Sequence, residues 1–95
     1  MHLALSRGAH RDLKSIARYS EREWGAVRKA QYIAAIQERL ATLLHRPAIG
    51  ATREDLGSGY RCVPVGRHVI FYRIASDGVL VVRVLHRRMD VRLHL

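Results

Sequence analysis

Apolar residues in the first half of the chain recur at intervals of three and four, and in the second half at intervals of two. Ala9, Leu13, Ile16, Ala17 and Trp24 follow helical spacing. Gly25 interrupts the series, and Ala26, Ala30, Ile33, Ile36, Leu40, Leu43 and Leu44 resume it along one stripe. Arg28, Lys29, Gln31, Glu38 and Arg39 take the opposite face of this second stretch. The pattern predicts two helices, the second from about Ala26 to His45, turning at Gly25 as an αα-hairpin. Ser6 is placed to cap the first helix, because its hydroxyl can accept an orphan backbone N–H. Before it, HLALS (2–6) reads as a short strand. Residues 46–60 hold Pro47, Gly50, Gly57 and Gly59 and read as loop. Then YRCVPVG, RHVIFYRI and VLVVRVLH alternate as strands, the last two joined through ASDG. Pro64 cannot donate a ladder hydrogen bond and belongs at a turn or an edge.

The register of the last hairpin decides which arginines share a face. A three-residue loop, Ser76–Asp77–Gly78, makes Ala75 oppose Val79. One face then carries Ile70, Tyr72, Ile74, Leu80, Val82 and Val84. The other carries Arg67, Val69, Phe71, Arg73, Val81, Arg83, Leu85 and Arg87. A two-residue loop puts Arg83 among Ile70 and Tyr72, and burying an unpaired charge costs several kcal/mol. The three-residue loop is the expectation. The fold class is α+β: a short N-terminal strand and an αα-hairpin packed on one face of a small, mostly antiparallel sheet.

Ninety-five residues, 48% of them hydrophobic, suit one domain, residues 1–95. No apolar run approaches the ~18 residues of a membrane span. The start, MHLALSRGAH, is too short in apolar core for a signal peptide. Cys62 is the one cysteine, and with the scattered histidines it has no zinc-ligand spacing. A cytoplasmic protein without metal, cofactor or membrane contact is the expectation. Charge changes the picture most: 17 basic residues stand against 8 acidic, a net charge of +9. Only Lys14 and Lys29 are lysine. Such a field attracts nucleic acid, anionic lipid or an acidic protein, and the arginine fork suits phosphate and carboxylate.

The densest basic stretch is RVLHRRMD (83–90). Three readings stand: chemistry on a phosphate, a contact surface for an acidic partner, or a solvated strand end. Metal-free RNA cleavage needs a base, an acid and cations for the phosphate. Arg61, Arg73, Arg83 and Arg87 supply cations. Either His86 or His94 has the right unperturbed pKa for proton transfer, ~6.5. No tyrosine follows Tyr72, and His86 falls on the core-facing side of the strand. A contact surface needs only placed charge and shape, which Arg67, Phe71, Arg73, Arg83 and Arg87 provide. After residue 55 only Asp77 and Asp90 are acidic, so Arg73 and Arg83 have few local partners. Trp24 closes the hairpin core, Tyr60 and Tyr72 are packing residues with tethered hydroxyls, and Cys62 is a small buried hydrophobe.

Taken together, SRGAHRDLKSIARYSEREWG (6–25), RPAIGATREDLGSGYR (46–61), HVIFYRI (68–74) and RVLHRRMD (83–90) resemble the toxins of the RelE/ParE superfamily, and their order matches its ParE branch. The resemblance implies the toxin of a type II toxin–antitoxin pair. Such a toxin poisons DNA gyrase, with DNA at hand, and is neutralised in a hetero-oligomer by a ParD-like acidic antitoxin. It also implies a target-binding face of Arg67, Phe71, Arg73, Arg83, Arg87, Arg88 and Met89. The antitoxin would lie against Leu13, Ile16 and Trp24, with Arg73 and Arg83. The alternative is a RelE-like ribosome-dependent mRNA endoribonuclease working through Arg61, Arg73, Arg83, His86 and His94.

Overall fold

The computed structural model describes residues 2–95. Strand β1 (His2–Leu5) leads into helix α1 (Arg7–His45), followed by β2 (Ala51–Thr52), β3 (Tyr60–Val65), β4 (His68–Ala75) and β5 (Gly78–His86). Short 3-10 turns occupy Pro47–Ile49, Glu54–Leu56 and Val91–Leu93. The five strands form one mixed sheet in the order β1-β5-β4-β3-β2. β1 runs parallel to β5, and the other neighbours are antiparallel. β2, in the expected loop, pairs with β3 only at Arg61 and Cys62, so Pro64 sits on an open edge as its missing N–H requires.

The αα-hairpin is met in a tighter form than expected: α1 holds two helical arms joined directly at Gly25, the one residue in it outside helical geometry (φ 85°, ψ 170°). Its 39 residues would span about 58 Å if straight. The longest dimension of the molecule is 38 Å, so the helix folds at Gly25. Only glycine takes that φ without steric cost. His10, Leu13 and Ala17 of the first arm share a cleft with Ile33, Ile36 and Leu40 of the second, so the arms lie side by side. At the start of α1 the Ser6 hydroxyl oxygen accepts from the Ala9 N–H at 3.0 Å, while the hydroxyl itself donates to the Val82 carbonyl.

The core lies between α1 and the sheet. Ala9, Ile16, Ile36, Leu40 and Leu43 pack on Val63, Val65, Ile70, Tyr72, Val79, Val81 and Val84. The hairpin register differs from the expectation in an informative way. Ala75 pairs with Gly78, so the loop is the two residues Ser76–Asp77, and Tyr72 pairs with Val81. A bulge beside Phe71 and Tyr72 then leaves Val82 without a ladder partner. Beyond it, Phe71 pairs with Arg83 and Ile70 with Val84, which is the register of a three-residue loop. One extra residue flips the facing of everything after it. Val79 and Val81 therefore enter the core in place of Leu80 and Val82, while Arg83 stays off it.

The far face of the sheet is not the open cationic surface expected. Phe71, Leu85 and Val91 form a second buried cluster with Leu56, Cys62 and Val69 against them. Phe71 is only 6% exposed. The cover is the C-terminal 3-10 turn, and Asp55 ties it to the loop below by accepting from Arg53 at 2.9 Å and Arg92 at 3.2 Å. The Arg53 hydrogen bond holds the Asp55 carboxyl down at about 2. Among the described residues no helix is long and apolar enough to cross a membrane.

Candidate functional site: a pocket at the open end of β5

β1 pairs with β5 only over Gly78–Val81. The rest of β5 is an unpaired edge, and the first arm of α1 lies beside it. Asp12 satisfies that edge. Its Oδ2 accepts from the Val84 backbone N–H at 2.9 Å and from Arg83 Nε at 2.8 Å. Its Oδ1 accepts from Arg83 Nη2, also at 2.8 Å, completing a bidentate pair. Arg83 Nη1 donates to the His94 carbonyl, which ties down the C-terminus. The Asp12 hydrogen bonds push the Arg83 pKa above its ordinary value. The two side chains are only 22% and 13% exposed, so this pair is partly desolvated. Gly8 makes room for it, since a Cβ there would come within 2.8 Å of Arg83 Cδ.

Between this pair and the start of β4 lies a cavity of about 290 Å³. Its lining includes Asp12, Ile16, Tyr19, Ser20, Trp24, Arg67, His68, Arg83, Val84, Leu85, His86, Met89 and His94. A relay of rings forms one wall. Trp24 meets Tyr19 and Tyr32 edge-on, at 6.2 and 6.1 Å between centroids. Arg67 stacks over Trp24 at 5.4 Å. The Tyr32 hydroxyl lies 2.6 Å from His68 Nδ1 and accepts from the Arg67 N–H at 3.0 Å. His68 in turn meets the His86 ring at 5.5 Å. Burial, and then the neighbouring His86 charge, lower the His68 pKa from 6.5, partly opposed by Asp12. The Tyr32 hydroxyl also lies 3.2 Å from the Val65 carbonyl, so its one proton serves either that oxygen or His68 Nδ1. The His86 Nδ1 lies 3.2 Å from the Arg88 N–H that donates to it.

The residues singled out from sequence do not converge. Arg61 stands opposite Tyr72, on the helix side, and donates to the Gly50 and Ala48 carbonyls at 2.8 and 3.2 Å. Arg73 is on the other face, exposed, with its guanidinium 5.3 Å from the Tyr60 ring centroid. Arg83, His86 and His94 gather at the pocket, away from both. Arg67, Arg87, Arg88 and Met89 are exposed near its mouth. Phe71 is buried and Leu13 is half-buried against the core, so neither offers the open contact surface expected of it, while Ile16, also buried, is reached only through the pocket it lines. Arg83 is not a free outward charge either. The acid it lacked nearby in sequence is Asp12, 71 positions away. Sequence reasoning missed Asp12, Tyr32 and His68, and no local spacing marks them. Tyr72 is tethered as expected: its hydroxyl donates to the Pro47 carbonyl at 2.6 Å and accepts from the Gly50 N–H at 2.9 Å.

A mixed five-stranded sheet backed by a folded helix is the arrangement of the RelE/ParE-fold toxins. A chain of the chromosomal ParDE toxin–antitoxin system from P. aeruginosa superposes with a TM-score of 0.77 at 20% identity, over 90% of this chain and 95% of that one. The RelBE2 toxin–antitoxin complex from Mycobacterium tuberculosis gives 0.64 at 24%, over 90% and 95%. Residues 3–91 match the family of the ParE toxin of the type II toxin–antitoxin system parDE. Toxin ParE1 of Caulobacter vibrioides is 41% identical over 91 residues, 96% of this chain and 94% of that protein. Toxin ParE of Escherichia coli is 34% identical over 92 residues, 96% and 89% respectively. The chain belongs to the ParE toxin family of type II toxin–antitoxin systems.

Proposed function

We propose that this protein inhibits DNA gyrase by binding it, without catalysing a reaction of its own, and that a ParD-like acidic antitoxin silences it. One observation carries the choice of gripping over cutting. The side chains an RNase would need are split between two faces and two ends of the sheet, and two of the cations, Arg61 and Arg83, are committed to internal partners. The charges left free are Arg67, Arg73, Arg87 and Arg88, with Met89 among them at 51% exposure. These form the proposed target-binding surface. The pocket suits the antitoxin: Trp24 and Ile16 give it an apolar wall, Tyr19 is 50% exposed at its edge, and the surface around it is cationic. Opposite charge speeds such an encounter, so antitoxin association should slow as salt rises.

The test titrates purified protein into a gyrase supercoiling reaction and then adds the acidic antitoxin. Loss of supercoiling that the antitoxin restores supports the proposal. Supercoiling that stays intact at excess toxin removes it.

A further inference from the structure

We propose that the first arm of α1 carries a second binding surface, for the phosphate backbone of duplex DNA, formed by Arg7, Arg11, Lys14, Arg18 and Arg22. These positions step by four, three, four and four. At 3.6 residues per turn they fall within about 80° of one another and run about 22 Å along the helix. All five are exposed. The buried residues of the same arm, Ala9, Ile16 and Ser20, lie on the opposite side. Among the described residues none of the five makes an ion pair. Asp12 turns away to Arg83, and Glu21, which borders the stripe, lies 3.7 Å from Lys29.

A merely solvated helix face does not account for this row. Like charges at i,i+3 and i,i+4 destabilise a helix by roughly 0.2–0.5 kcal/mol per pair, and here four such pairs follow in series. The first turn holds no acidic residue, and Arg7 sits at the end of the helix whose dipole disfavours cations. Each choice works against the isolated helix, and all are relieved together by a polyanion along the stripe. The second arm shows the contrast, since its outer face mixes Arg28 and Arg39 with Glu38.

The kind of polyanion follows from what the stripe lacks. An acidic amphipathic segment needs apolar anchors, and the exposed apolar groups of this region, Tyr19 and Met89, belong to the pocket. Single strands are held by stacking bases on successive aromatic rings. The stripe offers no such series: His10 is the one ring between Arg7 and Arg18, and Arg22 already lies over Tyr19 at 5.9 Å. A straight row of cations matches the dense, regular phosphate array of a DNA duplex. This surface does not depend on gyrase being the target.

The experiment measures fluorescence anisotropy of a labelled mixed-sequence duplex of about 30 base pairs with the full chain, from about 50 to about 200 mM salt. Five phosphate contacts predict a slope of log K against log salt near about −4.5. Arg11→Gln/Lys14→Gln/Arg18→Gln should flatten that slope by about 2.7. The charge-matched control Arg28→Gln/Arg39→Gln/Arg46→Gln should change it far less. The stripe variant should also melt at or above the parent temperature, since it relieves repulsion. Equal losses in both variants would mean net charge alone binds DNA and overturn the proposal. So would an unchanged slope in the stripe variant, tighter binding of single-stranded DNA or duplex RNA than of duplex DNA, or a loss confined to an acidic peptide.

Discussion

Two arginines on one face of the β4–β5 hairpin serve opposite purposes. On β4, Arg73 stands exposed with its guanidinium over the Tyr60 ring. On the neighbouring edge strand, Arg83, opposite Phe71, is on the same face by register, yet Asp12, the His94 carbonyl and the gap at Gly8 hold it in place. The difference comes from the neighbours. β1 ends at Leu5, which exposes the β5 edge, and the helix that follows sends a carboxylate into the opening. The locked arginine holds helix, sheet and C-terminus together, while the free one is available to a partner. Removing Arg83 therefore damages the fold, and its loss of toxicity would not locate a target-binding surface.

The largest effect should follow Asp12→Ala, which strips the Val84 N–H of its acceptor and leaves a partly desolvated guanidinium unpaired. Urea unfolding should show a loss of about 2–3 kcal/mol. A loss equal to that of Arg73→Ala would erase the distinction between the two arginines. Next comes Gly8→Ala. A glycine within a helix usually gains up to about 1 kcal/mol on becoming alanine, and less in the first turn where Gly8 lies. Here the new Cβ meets the Arg83 stem, so the gain should vanish in the parent and reappear in an Arg83→Ala background. Additive effects would mean that Arg83 does not fill that gap.

A smaller effect concerns pH. His68 has a folded pKa below its unfolded 6.5, so its contribution to stability is complete above 6.5. As pH falls below that value the unfolded chain takes up the proton first, and stability drops until folded His68 protonates. The melting temperature should therefore decline on acidification from about pH 7.5 to about pH 5, and His68→Gln should shrink the decline. His86 and Asp12 face the same ring and remain in that variant. An unchanged profile would mean that His68 does not cause the decline. The smallest effect on stability is expected from Arg73→Ala, within about 0.5 kcal/mol, with gyrase inhibition reduced. Retained inhibition would take Arg73 off the target surface.

Periodicity made the helical arms, the strands β3 to β5 and the break at Gly25 legible in the sequence, because each repeats over several residues. The Ser6 cap and the edge position of Pro64 were legible from single-residue chemistry. The bulge at Val82 was not, because alternation on both sides of it reads smoothly through. Smooth alternation from a tight turn buries Arg83; the bulge solves that problem without a longer loop. The pocket was illegible for a different reason. Asp12 meets Arg83, and Tyr32 meets His68, across the fold, and counting acids near the arginines in sequence could not reveal a partner on the first helix. The resemblance of the chain to the ParE branch placed the family but not these pairings.

The proposal that this toxin grips gyrase and cuts no RNA is tested most directly by parallel reactions. Purified protein is added to gyrase with supercoiled plasmid and, separately, to translating ribosomes with a defined mRNA. Gyrase-dependent inhibition or plasmid cleavage with intact mRNA is the predicted result. Codon-phased mRNA cuts with unaffected supercoiling would contradict it.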